Sequence, residues 1–208
     1  VPKEQGGGEA TVIAWIWART VKCPNPACGC TLPCTSSYVL SKKKGHEAWV
    51  EPVFENGSFH FHVHNGKCPA EKETNKPGRS AVFQCPHCHE LTTDDYVKSM
   101  GKEHKIGAQL MAVVAEGSRG RLYLSPDAVQ EAAAEVSRPG NYPDGPLPEN
   151  PRWFSPPAFG MVNYADLFTN RQLTALTTFC DLLDDVQNKA LADAKAAGLA
   201  DDGISIAD

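Results

Sequence analysis

The pattern of apolar and polar positions divides the chain into a β-rich first part and a helical end. Residues 9–22 form a dense apolar run, in which periodicity does not separate a helix from a buried strand. We expect a helix here, ending just before Cys23-Pro24. Further along, 37–40 and 48–54 predict short strands, and Asn56-Gly57 predicts the turn that follows the second.

Residues 59–64 alternate strictly between apolar and histidine side chains. In a strand, this alternation turns Phe59, Phe61 and Val63 towards a core. His60, His62 and His64 then lie on the opposite face. After a polar loop over 65–80, we expect a strand at 81–84 and a hairpin formed by 111–115 and 121–124.

Helical signals follow the hairpin. Ser125-Pro126 is typical of a helix start, which predicts a helix over 125–138. Residues 139–158 hold seven of the sixteen prolines and predict an extended connector. Thr169 and Gln172 have capping-box spacing, and the apolar residues behind them repeat at helical intervals. Cys180 lies on that apolar stripe, so we expect it in the core.

These elements predict an α+β fold: a small antiparallel sheet with an embedded zinc ribbon, flanked by helices, and a C-terminal amphipathic helix. The expected divisions begin with an N-terminal segment or helix (1–22), a zinc-ribbon and β-rich domain (23–124) and a helix (125–138). A Pro-rich connector (139–168), the C-terminal helix (169–200) and an acidic tail (201–208) follow.

Two cysteine pairs carry the clearest chemical signal. Cys23 and Cys28 have C-x4-C spacing, Cys85 and Cys88 have C-x2-C spacing, and each pair spans a Pro-bearing turn. Such turns let two thiolates converge on one tetrahedral ion, so the four predict a structural zinc site. The intervening stretch 29–84 is long for a zinc ribbon, but loop-closure entropy grows slowly with length.

Other ligand sets stay open. Cys30, Cys34, His87 or His89 could replace a named ligand, and a chain without metal is the remaining alternative. Cys68 is expected to be structural or free. The three histidines of 59–64 could hold a second metal, although a solvent-facing strand is the commoner outcome. The paired spacing favours a reduced, cytoplasmic protein over a disulfide framework.

The charge is unevenly distributed. The whole chain carries −5, whereas 19–121 carries +4 and holds all seven histidines and seven of the eight cysteines; 122–208 carries −8. Lys42, Lys43 and Lys44 stand between two predicted strands, and Arg19 is a further candidate for contact with nucleic-acid phosphates. The alternative is a merely solvated turn. No apolar run is long enough for a membrane span.

Three blocks of the sequence resemble the middle region of large prokaryotic adenine-specific DNA methylases that carry an N-terminal domain of unknown function. The first block is 11–29, with its tryptophans and first cysteine pair. The second is 40–45 together with Ala48-Trp49-Val50. The third is Gly160-Met161 with 164–173. The blocks occur in the expected order and span nearly the whole chain.

The resemblance implies a zinc-ribbon insertion within an S-adenosylmethionine-dependent methyltransferase, with Cys23 and Cys28 as the first knuckle and Cys85 and Cys88 as the second. Cys30, Cys34, the histidine strand and His89, which stands where glycine commonly follows, depart from that pattern.

The catalytic motifs of such enzymes do not occur here. Gly6-Gly7-Gly8 follows no predicted strand, and Ser155-Pro156-Pro157-Ala158 lacks the aromatic that stacks on a flipped base. We predict no catalytic residue, no methylation by this chain alone, and S-adenosylmethionine binding only in the parent protein. The start at Val1, without Met, is what we expect of a piece of a longer protein.

The predicted function is therefore a zinc-binding part of a DNA adenine methyltransferase that positions nucleic acid or acts as a scaffold. Its expected partners are DNA and the rest of the parent enzyme, with no membrane. One alternative is a structural zinc module for protein–protein contact. A second is a metal-dependent hydrolase that uses the histidine strand.

Overall fold

The computed structural model describes residues 1–3, 7–55, 58–117, 120–148, 150, 152 and 154–198. The fold is α+β, with antiparallel sheets and helices. The chain forms two compact units. One contains Val1–Ala133 and Pro148–Met161, and the other contains Ala134–Leu147 and Val162–Asp208.

The first sheet of the larger unit contains the strands β1 (Val12–Lys22), β2 (Thr31–Cys34), β6 (Gly107–Gly117) and β7 (Gly120–Leu124). Their order in the sheet is β2-β1-β6-β7. The helix expected over 9–22 is therefore wrong. This run is rich in β-branched and aromatic residues, which favour strands. Two register shifts against β6 also interrupt the alternation that would have identified a strand.

The second sheet contains the strands β3 (Val39–Ser41), β4 (Ala48–Glu55) and β5 (Ser58–Asn65). Their order in the sheet is β3-β4-β5. The alternation in β5 is confirmed, since Phe59, Phe61 and Val63 are buried while His60 and His62 are exposed. The Asn56-Gly57 turn lies outside the described residues.

A hydrophobic core joins residues of the two sheets. Ala18, Met111 and Ala112 of the first sheet contribute, together with buried side chains on and beside the second: Tyr38, Val50, Phe59, Phe61 and Val63. The two sheets therefore bury apolar side chains against each other, and in β6 the consecutive residues 110–115 are buried on both faces of the strand. The predicted hairpin is confirmed as β6 and β7, and of the strand expected at 81–84 only a bridge between Gln84 and Leu91 forms.

The described residues of the larger unit include two α-helices. The helix α1 (Asp94–Lys102) follows Thr93, whose side chain accepts a hydrogen bond from the backbone N–H of Tyr96. The helix α2 (Ala128–Ala133) is shorter than the expected 125–138. Asp127, rather than Ser125, accepts the capping bond from Gln130 N at 2.9 Å. Ser125 Oγ instead accepts a hydrogen bond from Val63 N in β5, at 2.9 Å.

The Pro-rich segment packs a one-turn 3-10 helix, Pro156–Phe159, against α1. The contact depends on two glycines. A Cβ on Gly101 would lie 2.3 Å from the carbonyl oxygen of Phe159, and a Cβ on Gly160 would lie 2.3 Å from that of Gly101. Gly160 also has a φ of +82°, which glycine adopts without strain.

The smaller unit contains the long helix α3 (Asn170–Ala196). The capping box of Thr169 and Gln172 is confirmed. Leu173, in the first turn, is buried, but the expectation that Cys180 is a core residue is wrong because its side chain is exposed. The predicted acidic tail, 201–208, lies outside the described residues. Among the helices that the structure describes, none combines the length and apolar character needed to cross a membrane.

Candidate metal centre

The first cysteine pair lies in the turn that connects β1 to β2. The turn is closed by Cys23 N, which donates to Cys30 O at 2.7 Å. Inside it, Asn25 accepts from Ala27 N through its side chain and from the backbone N–H groups of Cys28 and Gly29 through its carbonyl. Gly29 has a φ of +57°, which glycine tolerates. The Asn-Pro sequence and the glycine thus fold the turn so that both thiols point inward.

The second pair occupies a similar turn, between the bridged residues Gln84 and Leu91. Cys85 N donates to Glu90 O at 2.8 Å, and His89 N donates to Cys85 O at 2.9 Å. His89 follows the second cysteine, as Gly29 does in the first turn, and has a φ of +62°. A histidine therefore holds a left-handed backbone conformation that glycine would adopt at lower cost.

The two turns bring four sulfur atoms together. The Sγ atoms of Cys23, Cys28, Cys85 and Cys88 all lie within 4.8 Å of one another. Cys23 and Cys88 are 3.5 Å apart, and Cys28 and Cys85 are 4.0 Å apart. A tetrahedral ion with metal–sulfur bonds of about 2.3 Å places its sulfurs about 3.8 Å apart. The four cysteines are therefore close enough to bind one metal ion.

Among the described residues, these four form the one group of three or more potential ligands with all donor atoms so close together. A fifth thiol nevertheless touches the group. Cys30 Sγ lies 3.2 Å from Cys28 Sγ and 3.4 Å from Cys85 Sγ. Cys30 is one of the alternative ligands that the sequence leaves open, and its spacing of two residues from Cys28 already indicates that the two thiols can lie close together.

Burial and backbone donors give the thiols different acidities. Burial raises the pKa of Cys23 and of Cys30 above the ordinary range of a thiol. The pKa of Cys28 is lowered to about 6, chiefly because the Cys30 backbone N–H donates to its sulfur. The N–H of Asn25 similarly donates to the sulfur of Cys23. These N–H groups stabilise thiolates, the form in which cysteine binds metal.

The cluster lies within a second small core. Its buried members beside the cysteines are Val21 of β1, Leu32 of β2, Phe83 just before the second cysteine turn and Val97 of α1. Tyr96 of α1 also donates from its hydroxyl to Lys22 O at 2.9 Å, at the end of β1. The cysteine cluster therefore joins elements that are far apart in sequence.

Cys34, Cys68 and Cys180 are not members of the four-sulfur group, although Cys34 packs against the same small core. Cys68 is buried and its thiol faces Pro69 O, whereas Cys34 is partly buried and burial raises its pKa to about 12. All eight cysteines belong to the described residues, and all eight are free thiols. His87 packs near Phe54 with ring centroids 5.5 Å apart.

The proposed phosphate contacts occupy two places. Lys42, Lys43 and Lys44 are exposed in the turn that joins β3 to β4. Arg19 is exposed on β1, in the other sheet. Within the described part of the chain, none of the three lysines forms an ion pair.

The outer face of β4 and β5 holds a second polar cluster. His64 Nε2 lies 3.0 Å from Glu51 Oε2, and Lys72 donates to Glu51 Oε1 at 2.5 Å. The Lys72 ammonium holds the pKa of Glu51 below its ordinary value. Trp49 stacks on the His64 ring at 4.4 Å, and the His62 ring lies 4.7 Å from that of His64.

Comparisons with protein-family models, with curated proteins and with solved structures find no match to this chain.

Proposed function

We propose that the four cysteines hold one structural zinc ion, and that the chain is a zinc-ribbon module which positions DNA within an S-adenosylmethionine-dependent adenine methyltransferase. One observation carries the proposal: two cysteine turns that are distant in sequence bring their four sulfur atoms close enough to surround one tetrahedral ion. The methyltransferase context rests on the sequence resemblance alone.

Zinc is the metal that suits this site best. Four thiolates in a tetrahedral arrangement form a closed structural site for Zn²⁺, with no open position for substrate. Each turn is built around a proline and rigid backbone hydrogen bonds, which hold the ligands in place. The free thiols are those of a protein in a reducing compartment such as the cytoplasm.

The lysine turn supports the contact with DNA. Three adjacent exposed lysines have no acidic partner in the described structure, so their side chains are available to a phosphate backbone. Binding of this kind releases counterions, so the affinity falls steeply as salt rises. No residue of this chain is proposed to act on the base.

The test is a salt titration of DNA binding by the zinc-loaded chain. In the variant Lys42→Ala/Lys43→Ala/Lys44→Ala, the slope of log affinity against log salt should become shallower by about 1 for each lysine that contacts a phosphate. The matched control is Lys98→Ala/Lys105→Ala, since those two lysines are already paired with Asp94 and Glu103. An unchanged slope in the triple variant removes the lysine turn from the proposal.

A second candidate function is protein–protein contact through α3. Its stripe of apolar side chains is exposed at Leu176, Phe179, Leu183 and Val186. The acidic residues Asp181, Asp184 and Asp185 on the same helix disfavour DNA there. Light scattering of the wild type and of Phe179→Glu tests this function. Association of the wild-type chain that does not depend on salt, and that the variant loses, supports it. If both proteins are monomers, self-association through α3 is contradicted.

A further inference from the structure

The outer face of the second sheet presents imidazoles that the cysteine site does not use. His60, His62 and His64 occupy alternate positions of β5, and Glu51 is the register partner of His62 on β4. Because cross-strand partners point to the same side of a sheet, the carboxylate and the three rings share one face. The His62 and His64 rings are already neighbours, with centroids 4.7 Å apart.

Glu51 fixes which nitrogen of His64 is available. An ionised carboxylate only accepts hydrogen bonds, so the His64 Nε2 that lies 3.0 Å from Glu51 Oε2 carries the proton. The lone pair of the neutral ring is then on Nδ1. This is the arrangement in which metal-binding histidines are held, with the second ring nitrogen donating to a carboxylate that sets the tautomer.

We propose that His62 and His64 form a second, surface metal site for a divalent transition ion of the zinc, nickel or copper class, with His60 as a further ligand and Glu51 as the residue that positions His64. The proposal goes beyond the structural zinc ion and does not depend on it.

The surroundings favour imidazole ligation over a carboxylate-rich site. Lys72 bonds the other oxygen of Glu51, so the ammonium balances the negative charge of the carboxylate. The same ammonium lies 5.6 Å from the centre of the Trp49 ring. Neutral imidazoles select zinc, nickel and copper over magnesium and calcium. His62 is exposed, so its ring can turn towards an ion on His64 without disturbing the core.

The test is calorimetric titration of the zinc-loaded, tag-free chain with nickel chloride, followed in parallel by tryptophan fluorescence, which a nickel ion beside the Trp49–His64 stack quenches. We expect one saturable nickel site in wild type and in the control His46→Gln. The site should be lost in His62→Gln/His64→Gln and about tenfold weaker in Glu51→Gln.

Zinc content, measured for each variant in the same preparations, keeps the two sites distinguishable, since the cysteines should retain their zinc throughout. The single variant His62→Gln provides the same test if the double variant does not fold. Absence of saturable nickel binding in wild type overturns the proposal. Binding that survives the histidine substitutions, or an unchanged affinity in Glu51→Gln, overturns it as well.

Discussion

Cys23 and Cys88 are 65 positions apart in sequence, and their sulfur atoms lie 3.5 Å apart. Removing either thiol leaves an ion in this position with an incomplete tetrahedron. We expect Cys23→Ser and Cys88→Ser to lose the metal and to lower the free energy of unfolding by several kcal/mol, because metal binding at such a site is coupled to folding.

Elemental analysis and thermal unfolding of these variants provide the measurement, and Cys180→Ser is the matched control because its thiol is exposed on α3. One metal per chain should remain in Cys180→Ser. Retention of the metal in Cys88→Ser would contradict the four-cysteine site.

The contact of Cys30 with two of the ligands predicts an unequal response to substitution. Cys30 Sγ lies 3.2 Å from Cys28 Sγ, so it can replace a missing Cys28 thiolate with a small shift. We expect Cys28→Ser to keep one metal ion with reduced affinity, and Cys28→Ser/Cys30→Ser to lose it. Competition with a chromophoric chelator measures both affinities, and equal affinities in the single and double variants would exclude the substitution of one thiol by the other.

Local sequence signals predicted the elements whose determinants are close together in the chain. The capping box at Thr169, the alternation of Phe59, Phe61 and Val63, and the two cysteine turns each depend on a few neighbouring residues. The closeness of the four sulfurs was also predicted by the paired spacing, because two such turns can bring four thiolates to the distances that one tetrahedral ion requires.

Elements defined by distant partners were missed. Val12 pairs with Ala115, and Thr20 pairs with Gly107, so the strand β1 depends on hydrogen bonds to a segment that local periodicity does not include. Cys180 illustrates the opposite error, because an apolar stripe on a helix predicts a buried face whether or not another element covers it.

The close approach of α1 to the 3-10 turn predicts a strong effect of one methyl group. A Cβ at Gly101 would lie 2.3 Å from the Phe159 carbonyl oxygen, so backbone must move to admit it. We expect Gly101→Ala to cost about 1–3 kcal/mol of unfolding free energy, as overpacking does. Chemical denaturation measures the loss. In the control Gly78→Ala the added Cβ meets nothing within 4 Å, so its unfolding free energy should be close to that of the wild type. Equal stabilities of the two variants would contradict the close contact at Gly101.

The left-handed backbone of His89 predicts an order of stabilities at a single position. At a φ of +62°, glycine has no steric penalty, histidine carries some, and a β-branched residue carries more. We therefore expect His89→Gly to be at least as stable as wild type in the zinc-loaded chain, and His89→Val to be destabilised by about 1–2 kcal/mol. Thermal unfolding gives the order, and metal content should stay at one ion per chain in both variants if His89 is not a ligand.

His87→Val, in the same turn but without a positive φ, separates backbone strain from a general intolerance of valine. Since the glycine in the first turn, Gly29, has nearly the same φ, a loss of stability in His89→Gly would show that the imidazole contributes something that the backbone geometry does not account for.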